Sequence, residues 1–309
     1  MANLKELCKQ EEKFTGGHRL CAGCGAGVIA RQTLMAVDKP LVVVSATGCL
    51  EVSTTIFPYT AWKTSFMHSA FENAAATCSG IETAYRSLKK QGKLADDIRF
   101  IAFGGDGGTY DIGIQSLSGA MERRHKLTYI CYNNEAYMNT GIQRSGATPR
   151  GAHTTTAPTG KIKQGKEQMR KDLTAIMVAH DIPYVAQAVA GNWNDFITKV
   201  QKAVAVDGPA FINILQPCRL GWGYKPEETL ALGRLAVETC MWPIYEVVDG
   251  KYKITQKPKE KKPLTEFLKP QSRFKHLFKP ENAELLASLQ VEVDRRWEKL
   301  LKLEASTNS

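Results

Sequence analysis

No apolar run in this 309-residue chain approaches the roughly 20 residues that cross a bilayer, so no membrane span is expected. The N-terminus, MANLKELCKQEEKF, is charged and lacks the apolar stretch of a secretory signal. Both absences point to the cytoplasm, where the eight cysteines read as thiols or metal ligands rather than structural disulfides. Nucleic-acid motifs are missing as well. Neither a basic stripe interleaved with aromatics nor a C₂H₂ spacing accompanies the net charge of +10. More than half of that excess falls after Lys251, as in a solvated arm or one lying on an acidic partner. No glycine loop ends in GKS or GKT, which sets aside a P-loop. No internal repeat is visible.

What is present suits one large α/β domain with an extension. Short β-branched runs read as buried strands at 41–45 (LVVVS), 99–103 (RFIAF), 127–132 (LTYICY) and 210–215 (AFINIL). Helical patterns lie between them at 71–90, 111–125 and 195–206. Strands alternating with helices predict a mostly parallel sheet with helices on both faces. From Thr140 to about Arg170 the chain is polar and aperiodic, and so long a loop in a compact domain is usually functional or covered by a partner. After about Lys251 the rhythm stops. The divisions expected are an N-terminal segment at 1–16, a main domain at 17–250 and a C-terminal extension at 251–309. That extension is Pro- and Lys-rich and then helical, and it is expected to pack as an arm on a neighbouring subunit. Its apolar Phe274, Leu277 and Phe278 would otherwise form a sticky patch.

Two stretches carry chemistry. In AFGGDGGTYDIG, glycines surround Asp106 at the end of a predicted strand, where they let a ligand approach the backbone. The following helix offers free N–H groups to an anion. Asp106 would repel a phosphate unless a cation sat between them, which implies Mg2+. The next strand ends in NNEAYMNTG, whose Asn133 and Asn134 bring hard oxygens to the same sheet edge. An acidic residue in the middle of the glycine loop also argues against a dinucleotide fingerprint. The second stretch, HRLCAGCGAG, sets Cys21 and Cys24 two residues apart in a glycine-rich loop. A redox disulfide, a structural zinc and an iron–sulfur cluster are all open at this point.

The GDG…NN pair resembles the thiamine diphosphate signature. CAGCGAG, SATGCLEV, FPYTAWKTSFMHSAFENAAA, GGDGGTYDIGIQSLSGAMER, NNEAYMNTGIQRSGATPRGA, VDGPAFINILQPC and RFKHLF, in order from about residue 17 to 280, extend that resemblance. Together they resemble the thiamine-diphosphate-binding β subunits of the pyruvate:ferredoxin oxidoreductase family, within the 2-oxoacid:ferredoxin oxidoreductases. The first dozen and last thirty residues carry no specific match.

The resemblance implies a thiamine diphosphate-binding fold and one 4Fe-4S cluster on Cys21, Cys24, Cys49 and Cys218. It implies Mg2+ on Asp106, Asn134 and the carbonyl of Ala136, with Gly105 and Gly107 facing the diphosphate. Thr47 and Cys49 lie in the loop near the cofactor. Asn139 is the catalytic candidate, a donor to oxygen charge that develops in the reaction. The implied activity joins pyruvate to coenzyme A with loss of CO2 and reduction of ferredoxin. Sister enzymes act on oxalate, branched-chain 2-oxoacids or 2-oxoglutarate. Thiamine chemistry without a flavin or lipoyl group needs an electron acceptor, which zinc cannot be. A non-catalytic zinc or electron-transfer scaffold is the distant alternative. The implied partners are an α subunit, which supplies the glutamate that activates the cofactor, and γ- and δ-type chains with ferredoxin-like clusters. Neither Glu51, Glu72 nor Glu135 is assigned the activating role; His68 could act as an acid or base or stand as a structural histidine at a subunit contact, and is not counted as catalytic. Cys78 and Cys131 read as buried apolar fillers, and Cys8 and Cys240 as ordinary thiols.

Overall fold

The computed structural model describes residues 2–308. Eight strands form one sheet: β1 (Leu41–Ala46), β2 (Ser65–Ser69), β3 (Arg99–Gly105), β4 (Thr128–Asn133), β5 (Tyr184–Val189), β6 (Ala210–Leu215), β7 (Ile244–Val248) and β8 (Lys251–Gln256). Their order is β2-β1-β3-β4-β6-β5-β7-β8. The first six are parallel, and β7 and β8 close one edge antiparallel. This is the expected fold class.

Side chains that alternate along the strands feed two cores. Ile101 and Phe103 of β3, with Ile212 and Ile214 of β6, pack under helices Gly25–Met35 and Trp193–Ala205. Phe100, Ala102 and Phe211 face the other way, under helices Ala74–Lys90 and Ile114–Glu122. Both faces are covered, so the strands read as continuous apolar runs, as parallel sheets do. Among the described residues no helix is long and apolar enough to cross a membrane.

The sequence pattern misses β2, β5, β7 and β8. Exposed Met67 and His68 on β2 break any apolar run. β8 alternates lysine with apolar residues in a stretch otherwise resembling a linker, so a division at residue 250 cuts through the β7–β8 hairpin. The predicted helix at 111–125 starts later, because Gly107–Asp111 forms a π-helical turn first.

The C-terminal extension is present, but the expectation that a neighbouring subunit must cover its Phe274 and Leu277 is corrected. Phe274 and Leu277 are fully buried in a third core of this same chain, with Trp222, Trp242 and Phe267; Phe278 alone of the three stays partly exposed. Helix Ala283–Thr307 lies along β8. Ile254 N–H donates to Glu304 Oε1 (2.7 Å) and Tyr252 N–H to Thr307 Oγ1 (3.0 Å). Helix side chains thus occupy donors that an edge strand would leave open. The sticky patch is covered from within, by the chain's own fold.

Candidate functional site

Parallel neighbours end together, so four adjacent strands deliver their next residues to one edge. Gly105 of β3 lies beside Tyr132 of β4, and Asn133 of β4 beside Leu215 of β6. Asp106, Asn134, Gln216 and Cys218 follow these strand ends, while Thr47 and Cys49 follow β1. The contacts match this topology: Asn134 N–H donates to Asp106 Oδ1 (3.2 Å), and Gln216 N–H donates to Asn133 O (2.7 Å).

Asp106 is buried, and its carboxylate meets only neutral donors. Ser145 Oγ donates to Oδ2, and the Asn134 amide to Oδ1. Burial without a cation pushes its pKa up to about 7; the Ser145 and Asn134 hydrogen bonds oppose the rise. The Asn134 side-chain oxygen stands 2.8 Å from both Asp106 Oδ1 and Ala136 O, while its NH2 donates to Gln216 Oε1 (3.1 Å). Three acceptor oxygens with no proton between them repel one another. Turning the Asn134 amide would relieve this but would set its oxygen against Gln216 Oε1. Gln216 cannot turn in response without losing the bond its own NH2 donates to Pro217 O (3.2 Å). A small hard cation among the three oxygens leaves every bond in place, and oxygen ligands suit Mg2+.

Beside these oxygens lies a cleft of about 270 Å³. Thr47, Cys49, Gly105, Asp106, Gly107, Asn134, Ala136 and Asn139 all line it. Gly107 shows why the loop needs glycine: a Cβ there would sit 2.4 Å from the Tyr137 ring. Asn139 is on the rim, exposed, and its side chain makes no hydrogen bond among the described residues. Thr47 Oγ1 is 2.6 Å from His68 Nε2, and His68 lies 3.6 Å from Glu51 Oε2. His68 therefore reaches the mouth of the cleft through Thr47, a contact the sequence does not reveal because β2 was not legible. Roomier cavities exist, about 430 Å³ under the terminal helix and about 570 Å³ near Glu82. Neither is lined by any of the cofactor, metal or catalytic candidates named from sequence.

The thiols form the other side. Cys24 is the N-cap of helix Gly25–Met35, so the CxxC pair opens a helix, and among the described residues no strand precedes it. Cys49 begins helix Cys49–Thr54, and Cys218 caps the turn Arg219–Trp222. Gly221 N–H donates to Cys218 Sγ (3.5 Å), and Gln216 Nε2 to Cys24 Sγ (3.7 Å). Burial pushes the Cys24 thiol up to about 11 and Cys49 to about 12, and raises Cys218; for each, neighbouring members of the set add to the rise. All eight cysteines are free thiols. Among the described residues no three His, Cys, Asp or Glu side chains close into a single-ion cage. A cubane takes one thiolate at each of four irons and asks for a wider set, with N–H donors to its sulfurs. Cys78 and Cys131 are buried in the core away from this set, and Cys240 is buried in the third core.

The roles of several residues here escaped the sequence reading. Glu135 is buried between Arg170 Nη1 (2.9 Å) and Arg273 Nη2 (2.6 Å). Lys166 is buried too, and its Nζ donates to Ser145 O and Thr148 O (3.1 and 2.6 Å), pinning the loop that carries Ser145. Desolvation lowers its pKa to about 8. Ser145, Lys166 and Arg170 all belong to the long polar loop, whose apparent lack of pattern reflects its use as a scaffold for the site.

A parallel α/β sheet with an acidic glycine loop at its ligand edge defines a thiamine pyrophosphate-binding domain. Residues 46–214 match the family described as "Thiamine pyrophosphate enzyme, C-terminal TPP binding domain". The chain is 51% identical to pyruvate synthase subunit PorB of Thermotoga maritima, over 99% of this chain and 97% of that one. It is 56% identical to the PorB of Methanocaldococcus jannaschii, over 87% and 91%. Ketoisovalerate oxidoreductase subunit VorB of Pyrococcus abyssi is 43% identical over 95% and 94%. A 2-oxoglutarate:ferredoxin oxidoreductase from Magnetococcus marinus shares the fold, with a TM-score of 0.56 and 23% identity over 67% of this chain and 66% of that one. The chain belongs to the pyruvate synthase subunit PorB family of thiamine pyrophosphate-binding oxidoreductase subunits.

Proposed function

We propose that the chain is the thiamine diphosphate-binding β subunit of a 2-oxoacid:ferredoxin oxidoreductase acting on pyruvate. With coenzyme A and oxidised ferredoxin it would yield acetyl-CoA, CO2 and reduced ferredoxin. The observation that carries this reading is one cleft bordered by converging oxygens and by Cys49 of the thiol set. When bound, thiamine diphosphate supplies the electron-accepting ring at which a 2-oxoacid loses CO2.

In this reading Asp106, Asn134 and Ala136 O hold Mg2+, and Gly105 and Gly107 let the diphosphate approach the backbone. Asn139, free on the rim, donates to the substrate oxygen that becomes negative. Its gain comes because the donor is oriented before charge develops. Thr47 faces the cofactor with His68 behind it. Cys21, Cys24, Cys49 and Cys218 hold a 4Fe-4S cluster, the electron acceptor nearest the cleft. Glu135 and Glu51 are both engaged within the chain. Glu135 is taken by two arginines, and Glu51 accepts from Thr55 Oγ1 (2.7 Å). By the family resemblance, the activating glutamate would come from an α subunit. Chains of γ and δ type would carry electrons onward to ferredoxin.

The complex, purified without oxygen, should contain iron, labile sulfide and thiamine diphosphate. Replacing any of the four cysteines with serine should remove the same reduced-state EPR signal, while Cys78→Ala and Cys131→Ala leave iron unchanged. A full cluster surviving Cys218→Ser would break the ligand scheme. Because one relative is named for ketoisovalerate, the assay panel should include that acid beside pyruvate, 2-oxoglutarate and oxalate. Pyruvate should show the highest kcat/KM, and a tenfold preference for another acid overturns the substrate assignment.

A further inference from the structure

We propose that Arg273 is a positioning residue that locks the metal-ligand turn Asn134–Ala136 to the cysteine loop at Cys218, so that the two halves of the site are held as one unit. This rests on the reading above.

Arg273 comes from the 3₁₀ segment Ser272–Phe278 and is 4% exposed. Its guanidinium reaches in two directions. Nη2 donates to Glu135 Oε2 (2.6 Å), and its carbon lies 3.9 Å from the centroid of the Trp222 ring. Gln271 Oε1 accepts from its Nε (2.9 Å) and fixes the plane of the group. A planar fork that both pairs and stacks is a use for which lysine is a poor substitute.

Glu135 sits between the proposed ligands Asn134 and Ala136, at φ +67°. A non-glycine residue holds that left-handed conformation only where its surroundings impose it. They do so here: Arg170 and Arg273 take one carboxylate oxygen each, Asn133 Oδ1 takes the N–H (3.0 Å), and Thr148 Oγ1 donates to the carbonyl (2.6 Å). Released, the turn would relax and carry Ala136 O away from Asn134 and Asp106.

Trp222, also buried, is the second path. Its Nε1 donates to Asn134 O (2.8 Å), and its N–H donates to Cys218 O (2.9 Å). Trp222 thus bonds the metal turn through its indole and the cysteine loop through its backbone amide, while the guanidinium stacks on the ring. The buried guanidinium also sets a positive charge on the ring of Trp222, four residues along the chain from Cys218. A cation there favours the electron-rich state of any centre bound to the Cys218 sulfur. A buried ion pair that served stability alone would not need the Trp222 bridge.

The test uses the assembled, cluster-containing complex. Wild type is measured first for thiamine diphosphate affinity by calorimetry in excess Mg2+, and for cluster midpoint potential by EPR redox titration. If wild type binds no cofactor or holds no iron, the functional reading itself fails. Given wild-type binding, Arg273→Met should weaken thiamine diphosphate binding about tenfold or more and lower the midpoint potential. Arg273→Lys should restore the potential and only part of the affinity. Trp222→Phe keeps the ring but loses the bond to Asn134 O, so it should weaken binding while leaving the potential in place. This variant decides the matter if Arg273→Met does not fold. Unchanged cofactor affinity in Trp222→Phe, or in a folded Arg273→Met, overturns the proposal.

Discussion

The turns that follow β3 and β4 each bury a carboxylate, and they treat it in opposite ways. Glu135, 1% exposed, is held by two guanidiniums. Asp106, equally buried, meets a hydroxyl and a backbone amide and no cation. Burial costs a charge heavily unless it is paired. The Glu135 turn is therefore complete within the protein, whereas the Asp106 turn leaves its charge for the Mg2+ proposed above. The difference separates a group that shapes the site from one that binds. Either carboxylate taken alone would suggest catalysis, because buried acids cluster at functional sites.

The comparison breaks most sharply at Glu135. Glu135→Gln strands Arg273 without its counter-charge, and loss of one partner from a buried pair typically costs about 3–5 kcal/mol. Chemical denaturation should show that loss. A change under about 1 kcal/mol would mean the pair behaves like a surface bridge. Asn139→Ala should leave stability and cofactor affinity nearly intact while lowering kcat by about 2.7–4 kcal/mol in barrier terms, as for an oxyanion donor. A raised KM for thiamine diphosphate at constant kcat would reduce Asn139 to a cofactor contact.

Asp106→Asn should do the reverse of Glu135→Gln: the metal-free chain keeps or gains stability, because a costly buried charge is gone. Mg2+-dependent thiamine diphosphate binding should weaken by about 100-fold, the upper range for disturbing a metal's ligand surroundings. Normal affinity in calorimetry would refute the metal assignment. The smallest effect is in pH. The Asp106 carboxyl is raised by burial from 3.8 to about 7, so the folded metal-free chain keeps a proton that the unfolded chain has lost between those values. The stability this contributes is fully present below pH 3.8 and is lost as pH rises through about 7. Mg2+ competes with the same proton. Its apparent affinity should therefore rise with pH up to about 7, approaching tenfold per unit, and level off above. Asp106→Asn should flatten both profiles.

Strands 99–103 and 210–215 were legible because parallel strands covered on both faces are apolar throughout, and β1, β3, β4 and β6 are the strands that position the site. β2 and β8 were not, since each lies at a sheet edge and carries exposed polar residues. The expected cover by a partner failed at Phe274 and Leu277, which this chain buries itself. Sequence shows that apolar side chains in a Lys- and Pro-rich stretch need a cover, but it does not show whose surface provides one.

Local chemistry, then, was the sequence's to determine. An aspartate among glycines after one strand, asparagines after the next and a CxxC pair before the first are each readable within a dozen residues, because turn conformation and donor type are local properties. The partner of each buried charge was decided only by the tertiary structure. Glu135 meets Arg273 across 138 residues of chain and Arg170 across 35, and Trp222 reaches Asn134 across 88. No periodicity records such pairings: a buried charge must be neutralised, yet any cation the fold brings alongside can do it, and that choice belongs to the packing of distant segments.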